Sequence, residues 1–114
     1  MRKYLDIQLT LALTLVLTII MLWPINQPLP GPDASDKLIH IIAFAGLAFP
    51  LARTGRFGLI PVFIGASLYG GIIELVQPYF WRSADILDWI SDLLGVICGI
   101  GLARLHYWIS IHRV

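Results

Sequence analysis

Asp36 and His40 stand at i and i+4, so a helix through them puts a carboxylate and an imidazole on one face, with Lys37 beside them. Further along, Ser67, Gly70, Glu74 and Gln77 recur at 3-4-3 spacing, and Asp85, Asp88, Asp92, Gly95 and Gly99 at 3-4-3-4 spacing. At about 100° per residue each set forms one small-and-polar stripe along a helix, and two such stripes are expected to meet. Glycine at 95 and 99 then serves helix packing by letting backbones approach. Carboxylates with an imidazole can act as general acid and base, accept hydrogen bonds from a polar headgroup, or hold a hard divalent cation. No spacing here is specific for one metal, so a cation stays an open cofactor. HExxH, paired CxxC, a glycine-rich phosphate loop and a nucleophile elbow are all missing from the sequence.

Each residue has an ordinary explanation to set beside the chemical one. Asp36 and Asp85 fall in first turns, where a carboxylate caps free N–H groups and meets the positive end of the helix dipole. Glu74 does not fit that pattern. It lies about one turn from the C-terminus of its helix, where the dipole opposes negative charge, between Ile73 and Leu75. Asp92 stands roughly 10 Å along its helix from Asp85 at 1.5 Å per residue, below the membrane interface. Ionisable groups at that depth cost a few kcal/mol and mark functional sites by default. His40, Glu74 and Asp88 are therefore the catalytic candidates. The ligand-binding candidates are Asp36, Lys37, His40, Glu74, Gln77, Arg82, Asp88 and Asp92. Like charges at Glu74, Asp88 and Asp92 call for a cation or shared protons. Arg82 can close the cluster or hold a phosphate with its planar fork. Tyr79, Trp81 and Trp89 read as packing and interface anchors, and Cys98 as a small packing residue in an apolar run.

The elements that must position these groups follow from composition. Of 114 residues, 58% are hydrophobic and 13% charged, and the mean hydropathy is +0.81. Soluble domains run nearer 45–50% apolar and about 25% charged. Four long apolar stretches in so short a chain cannot bury one another in water, so the bilayer must cover them. The reading is an all-α membrane protein, a small bundle of four transmembrane helices at about 5–23, 36–52, 57–77 and 84–104, in a single domain over 1–114. The first stretch is too long for a signal h-region and is read as a retained helix. Pro24 to Ser35 reads as an extended loop, Ser35-Asp36 as an N-cap, and 105–114 as an amphipathic tail. The second helix is short for a crossing, about 16 residues against the usual ~20. A net charge of +1 with dispersed basic residues excludes nucleic acid as a partner. With both termini cytoplasmic, six of the eight lysines and arginines lie inside and only Lys37 and Arg82 outside. The acids show the reverse, so the outer pole carries the chemistry.

In order, Asp36-Lys37-x-x-His40-x-x-x-Phe44, Glu74-x-x-Gln77, Arg82-Ser83 and Asp88-x-x-x-Asp92-x-x-Gly95-x-x-x-Gly99 resemble the VanZ-like family of small bacterial membrane proteins, over about residues 33 to 105. The family usually carries asparagine at the position of Asp92, so this chain adds an acid there. The resemblance implies a multi-pass protein of the bacterial cytoplasmic membrane, a role at the cell envelope and a link to tolerance of the glycopeptide teicoplanin. It implies no settled reaction. The leading expectation is an outward-facing polar pocket that binds a lipid-linked envelope precursor or a glycopeptide-related headgroup. The membrane lipid is a partner, and an oligomer is open. One alternative is a membrane-embedded enzyme acting on an envelope lipid, with Glu74 or His40 as general base. The other is a proton- or ion-coupled carrier working as an oligomer, ranked lower because the polar stripes fade below Ser67 and Gly95.

The charge count sets the first prediction. In a Cys98→Ala background, single cysteines at Gln27 and Tyr79 will label from outside the cell with a membrane-impermeant thiol reagent, and those at Thr54 and Ser110 will not. The reverse pattern places the acidic pole in the cytoplasm.

Overall fold

The computed structural model of the protein describes residues 2–23, 33–80 and 85–112, with side chains placed for 3–23, 37–80 and 85–112. Regular structure among the described residues is wholly helical: α1 (Leu5–Leu22), α2 (Asp33–Thr54), α3 (Leu59–Val76) and α4 (Ile86–Ile111), with single 3-10 turns at Arg2–Tyr4 and Gln77–Phe80. All four α-helices are long and apolar enough to cross a membrane. Large apolar side chains such as Leu11, Leu15, Ile60, Leu75 and Ile86 point away from the bundle. Water would not tolerate so much exposed apolar surface and lipid does, so the chain is a multi-pass membrane protein.

Local chemistry sets the helix ends. Gly55 and Gly58 take φ of 69° and 73°, a left-handed conformation open to glycine, and turn the chain between α2 and α3. Pro61 sits in the first turn of α3, where its missing N–H has no partner to lose. Two expected boundaries are wrong. Helix α2 begins at Asp33 rather than at Ser35-Asp36 and extends to Thr54, so its 22 residues are not short for a crossing. Pro50 lies within it at the cost of one bond to the Gly46 carbonyl. Helix α4 begins at Ile86 and continues to Ile111, so the supposed separate tail is its last two turns. No glycine or proline follows Gly101 to stop it. At 1.5 Å per residue its 26 residues span about 39 Å, beyond the ~30 Å hydrocarbon layer.

Helices α2 and α4 run parallel and in register. A Cβ on Gly95 would collide with the Ile41 carbonyl and lie 3.0 Å from Ile41 Cα, and one on Gly99 would lie 2.9 Å from Ala45 Cα. The glycine stripe of α4 was expected to meet α3, and it meets α2 instead. Ile41 and Ala45 repeat at the same four-residue spacing as Gly95 and Gly99, so backbone can nest on backbone. Against α3 the bulk of Trp89 intervenes, 3.3 Å from where a Cβ on Gly71 would stand. The stripe of α3 still faces inward: Ser67, Gly70, Glu74 and Gln77 are buried, with Gly70 against Phe44 and Asp92. Phe44, Leu47, Ala48 and Val96 form the centre of the core. Cys98, expected to be a buried packing residue, is exposed, because it lies off the Gly95–Gly99 face.

Helix α1 packs Leu13, Leu17, Met21 and Leu22 against the core and adds polar contacts to α3 and the turn after it. Thr10, Thr14 and Thr18 donate to the carbonyls four residues back, and the Thr18 hydroxyl lies 2.7 Å from that of Tyr69 on α3. The Gln77 amide donates to the Met21 carbonyl at 3.1 Å, satisfying an orphan acceptor in the last turn of α1. The Thr18–Tyr69 and Gln77–Met21 bonds help to hold helices together where lipid gives no hydrophobic drive to associate.

Gly99→Leu and Gly95→Leu will each destabilise the bundle by about 1–3 kcal/mol or more, because backbone cannot yield as a side chain can. Gly101→Ala, which meets nothing within 4 Å, will not. Thermal unfolding in detergent separates the three variants, and equal melting would refute the α2–α4 contact.

Candidate functional site

The parallel pairing of α2 and α4 brings the start of one against the start of the other. Asp85 is the N-cap of α4, its carboxylate accepting from Leu87 N–H at 2.9 Å. From the adjacent turn of α2, Lys37 donates to Asp85 Oδ2 at 2.7 Å and also to Asp88 Oδ1. One turn deeper, His40 Nδ1 lies 2.7 Å from Asp92 Oδ1, a separation at which an N–H on that nitrogen donates to the carboxylate. His40 Nε2 is 3.8 Å from Asp88 Oδ2. The third wall is the last turn of α3, where Glu74 Oε2 accepts from the backbone N–H of Asp85 at 3.0 Å.

His40, Glu74, Asp88 and Asp92 are all buried, Asp92 completely. Four carboxylates and an imidazole thus meet one lysine inside a membrane bundle, an arrangement whose desolvation cost must be offset by close pairing. Lys37 meets that need for Asp85 and Asp88. Glu74 gains from the N-terminal end of α4, where the N–H groups and the dipole favour negative charge. One donor atom from each of His40, Glu74 and Asp92 lies within 4.8 Å of the other two.

Outside this cluster, α3 and α4 part to leave a groove of about 500 Å³. Leu68, Ile72, Leu75, Ile86 and Trp89 make its walls apolar, and Glu74 and Asp85 stand at its polar end. Trp89 is fixed there by its indole N–H, which donates to the Ser67 carbonyl at 3.0 Å.

Of the residues singled out in the sequence, Lys37, His40, Glu74, Asp88 and Asp92 come together. Gln77 is also buried, and its amide nitrogen donates to the Met21 carbonyl of α1. Gly95 and Gly99 pack helices as expected, though against α2. The side chain of Asp36 and the whole of Arg82, with Trp81 and Ser83, lie outside the described residues. Asp85, assigned only a capping role, caps α4 and also pairs with Lys37. At the opposite pole a second polar knot went unforeseen: buried Asp6 accepts from Thr54 Oγ1 at 3.0 Å and Arg56 Nε at 3.1 Å. A signal lay in the sequence, where an acid in the first turn of α1 is matched by the short basic turn from Arg53 to Arg56.

No family model, curated protein or solved structure matches the chain. Fold and site together define a four-helix, multi-pass membrane protein with an ionisable cluster buried at one end of its bundle.

Asp85 is the member of this site outside the apolar spans. The hydrogen bond from Lys37, with that from Leu87 N–H, holds its carboxyl below the usual carboxylate range. Its contribution to stability is therefore present above the unfolded value of about 3.9 and lost as pH falls through the lower, folded one. Below about pH 4 the wild type will lose melting temperature more steeply than Asp85→Asn. Superimposable acid limbs would remove the Lys37 pairing from the account.

Proposed function

We propose that the chain is a VanZ-like protein of a bacterial cytoplasmic membrane, with both termini inside, that binds the headgroup of an envelope lipid or lipid-linked precursor at its outer pole and thereby affects tolerance of teicoplanin. The observation that carries this reading is the groove between α3 and α4. Its volume of about 500 Å³ falls in the range of ligand sites, roughly 300–1,000 Å³, and such sites pair apolar walls with a few placed polar groups. Apolar walls facing the bilayer suit an acyl or isoprenoid chain, and carboxylates at the end suit hydroxyl, amide or ammonium groups of a head. Lys37, held by two carboxylates, is available to a phosphate only by exchange. A phosphate arm of the interaction therefore falls to Arg82.

The test is tolerance conferred on a susceptible host at matched expression. Glu74→Gln removes the Glu74 charge from the polar end and Ile72→Trp fills the groove, and both will abolish the phenotype. Ile60→Trp, an exposed position outside the groove, will leave it intact. Full tolerance in both groove variants would withdraw the assignment.

A further inference from the structure

We propose that His40, Glu74 and Asp92 form a binding site for one divalent transition-metal ion, of the zinc or manganese class, inside the bundle. This goes beyond the groove and stands whether or not the groove takes a lipid. Two independent observations support it. The first is geometric: three donor atoms from three side chains, all buried, lie within 4.8 Å of one another. Around an ion with bonds of roughly 2.1 Å, neighbouring ligands stand about 3.0–3.5 Å apart, so small side-chain rotations close the set. His40 Nδ1 and Asp92 Oδ1, 2.7 Å apart as a hydrogen-bonded pair, would open by a few tenths of an ångström to admit the ion. The second concerns Glu74, which is 7% exposed. Its Oε2 accepts from Asp85 N–H, whereas its buried Oε1 has no hydrogen-bond partner among the described residues. A buried carboxylate oxygen without a donor calls for one or for a cation.

Charge and ligand chemistry select the ion. Two carboxylates match a divalent charge, and Lys37 is already committed to Asp85 and Asp88. One imidazole nitrogen with two carboxylate oxygens suits zinc or manganese better than calcium, which takes six or more oxygens, or copper(I), which prefers sulfur. The ion would take the place of the hydrogen at His40 Nδ1, the imidazole keeping its one N–H at Nε2 on the side of Asp88, and binding weakens as pH falls because protons compete for the same ligand atoms. Three protein ligands leave a position open for water. The acid that this chain carries at 92, where an asparagine is a poorer ligand, supplies the third.

The experiment uses the full-length chain in detergent, stripped with chelator, desalted and offered Zn²⁺, Mn²⁺ or Co²⁺ alone. About one ion per chain should be retained, and the cobalt form should show ligand-field absorption. Glu74→Gln and Asp92→Asn should each weaken binding roughly tenfold or more, while Gly101→Ala, whose added Cβ meets nothing within 4 Å, binds as the wild type does. Circular dichroism and melting identify any variant that fails to fold, and the wild-type cobalt spectrum with its pH dependence decides the matter independently of the variants. Failure of the wild type to retain any of the three metals would overturn the proposal. So would equal affinity in folded Glu74→Gln and Asp92→Asn, which would assign the ion to surface groups.

Discussion

Two glycines, Gly95 and Gly99, hold the architecture together, because they let α4 lie on the backbone of α2. Where Ile41 and Ala45 touch them, no Cβ fits between the helices. That contact fixes the distance and the register of two parallel helices, and everything polar at their N-terminal ends follows. Once Ile41 lies on Gly95, His40 has to stand beside Asp92, and Lys37 beside Asp85 and Asp88. A packing constraint in the middle of the bundle thus becomes an electrostatic arrangement at its end. In lipid this ordering of causes is natural, since apolar side chains gain little by leaving one apolar medium for another and close backbone approach decides which helices pair.

Parallel pairing has a second consequence, for Glu74. Its own helix ends there and opposes its charge. Yet the chain turns back through the 3-10 turn at Gln77–Phe80 and begins α4 within reach, so the carboxylate meets the backbone N–H of the α4 N-cap. The field that disfavours the acid belongs to α3, and the field that accepts it belongs to α4. A reading confined to one helix sees only the first. The buried acid is thus part of how α4 starts, whatever else it does.

What the sequence makes legible is what depends on one helix at a time. Composition alone requires four membrane helices, and the 3-4 spacing correctly marks Glu74, Asp88, Asp92, Gly95 and Gly99 as inward-facing. The capping carboxylate of Asp85 is readable from its position ahead of an apolar run. Pairing between helices is not readable in this way. A stripe of small residues states that some backbone comes close without naming it, and Ile41 and Ala45 carry no mark that separates them from lipid-facing residues. For the same reason Cys98 could not be told from a core residue: in a membrane protein interior and exterior are both apolar. Gln77 lies on the same polar stripe as Glu74, and the demand its amide nitrogen meets, an orphan carbonyl in the last turn of α1, is visible only once α1 is in place.

The two poles of the bundle show why buried charge at one of them carries the functional argument. Both contain a buried acid. At the pole of α1's first turn, Asp6 receives a guanidinium and a hydroxyl, and Arg56 also reaches the Lys3 carbonyl. Those bonds tie a helix start to the turn after α2, and fixing that turn is sufficient reason for the acid to be there. At the other pole Lys37 accounts for Asp85 and Asp88 in the same way, whereas Glu74 does more than fix a turn. It is the member of the His40, Glu74 and Asp92 set that also lines the groove between α3 and α4. Glu74 therefore borders two surroundings, the buried imidazole and carboxylate of the set and the largely apolar groove. A charge change in the cluster reaches the groove most directly through this residue, and a polar group entering the groove alters the cluster by the same route.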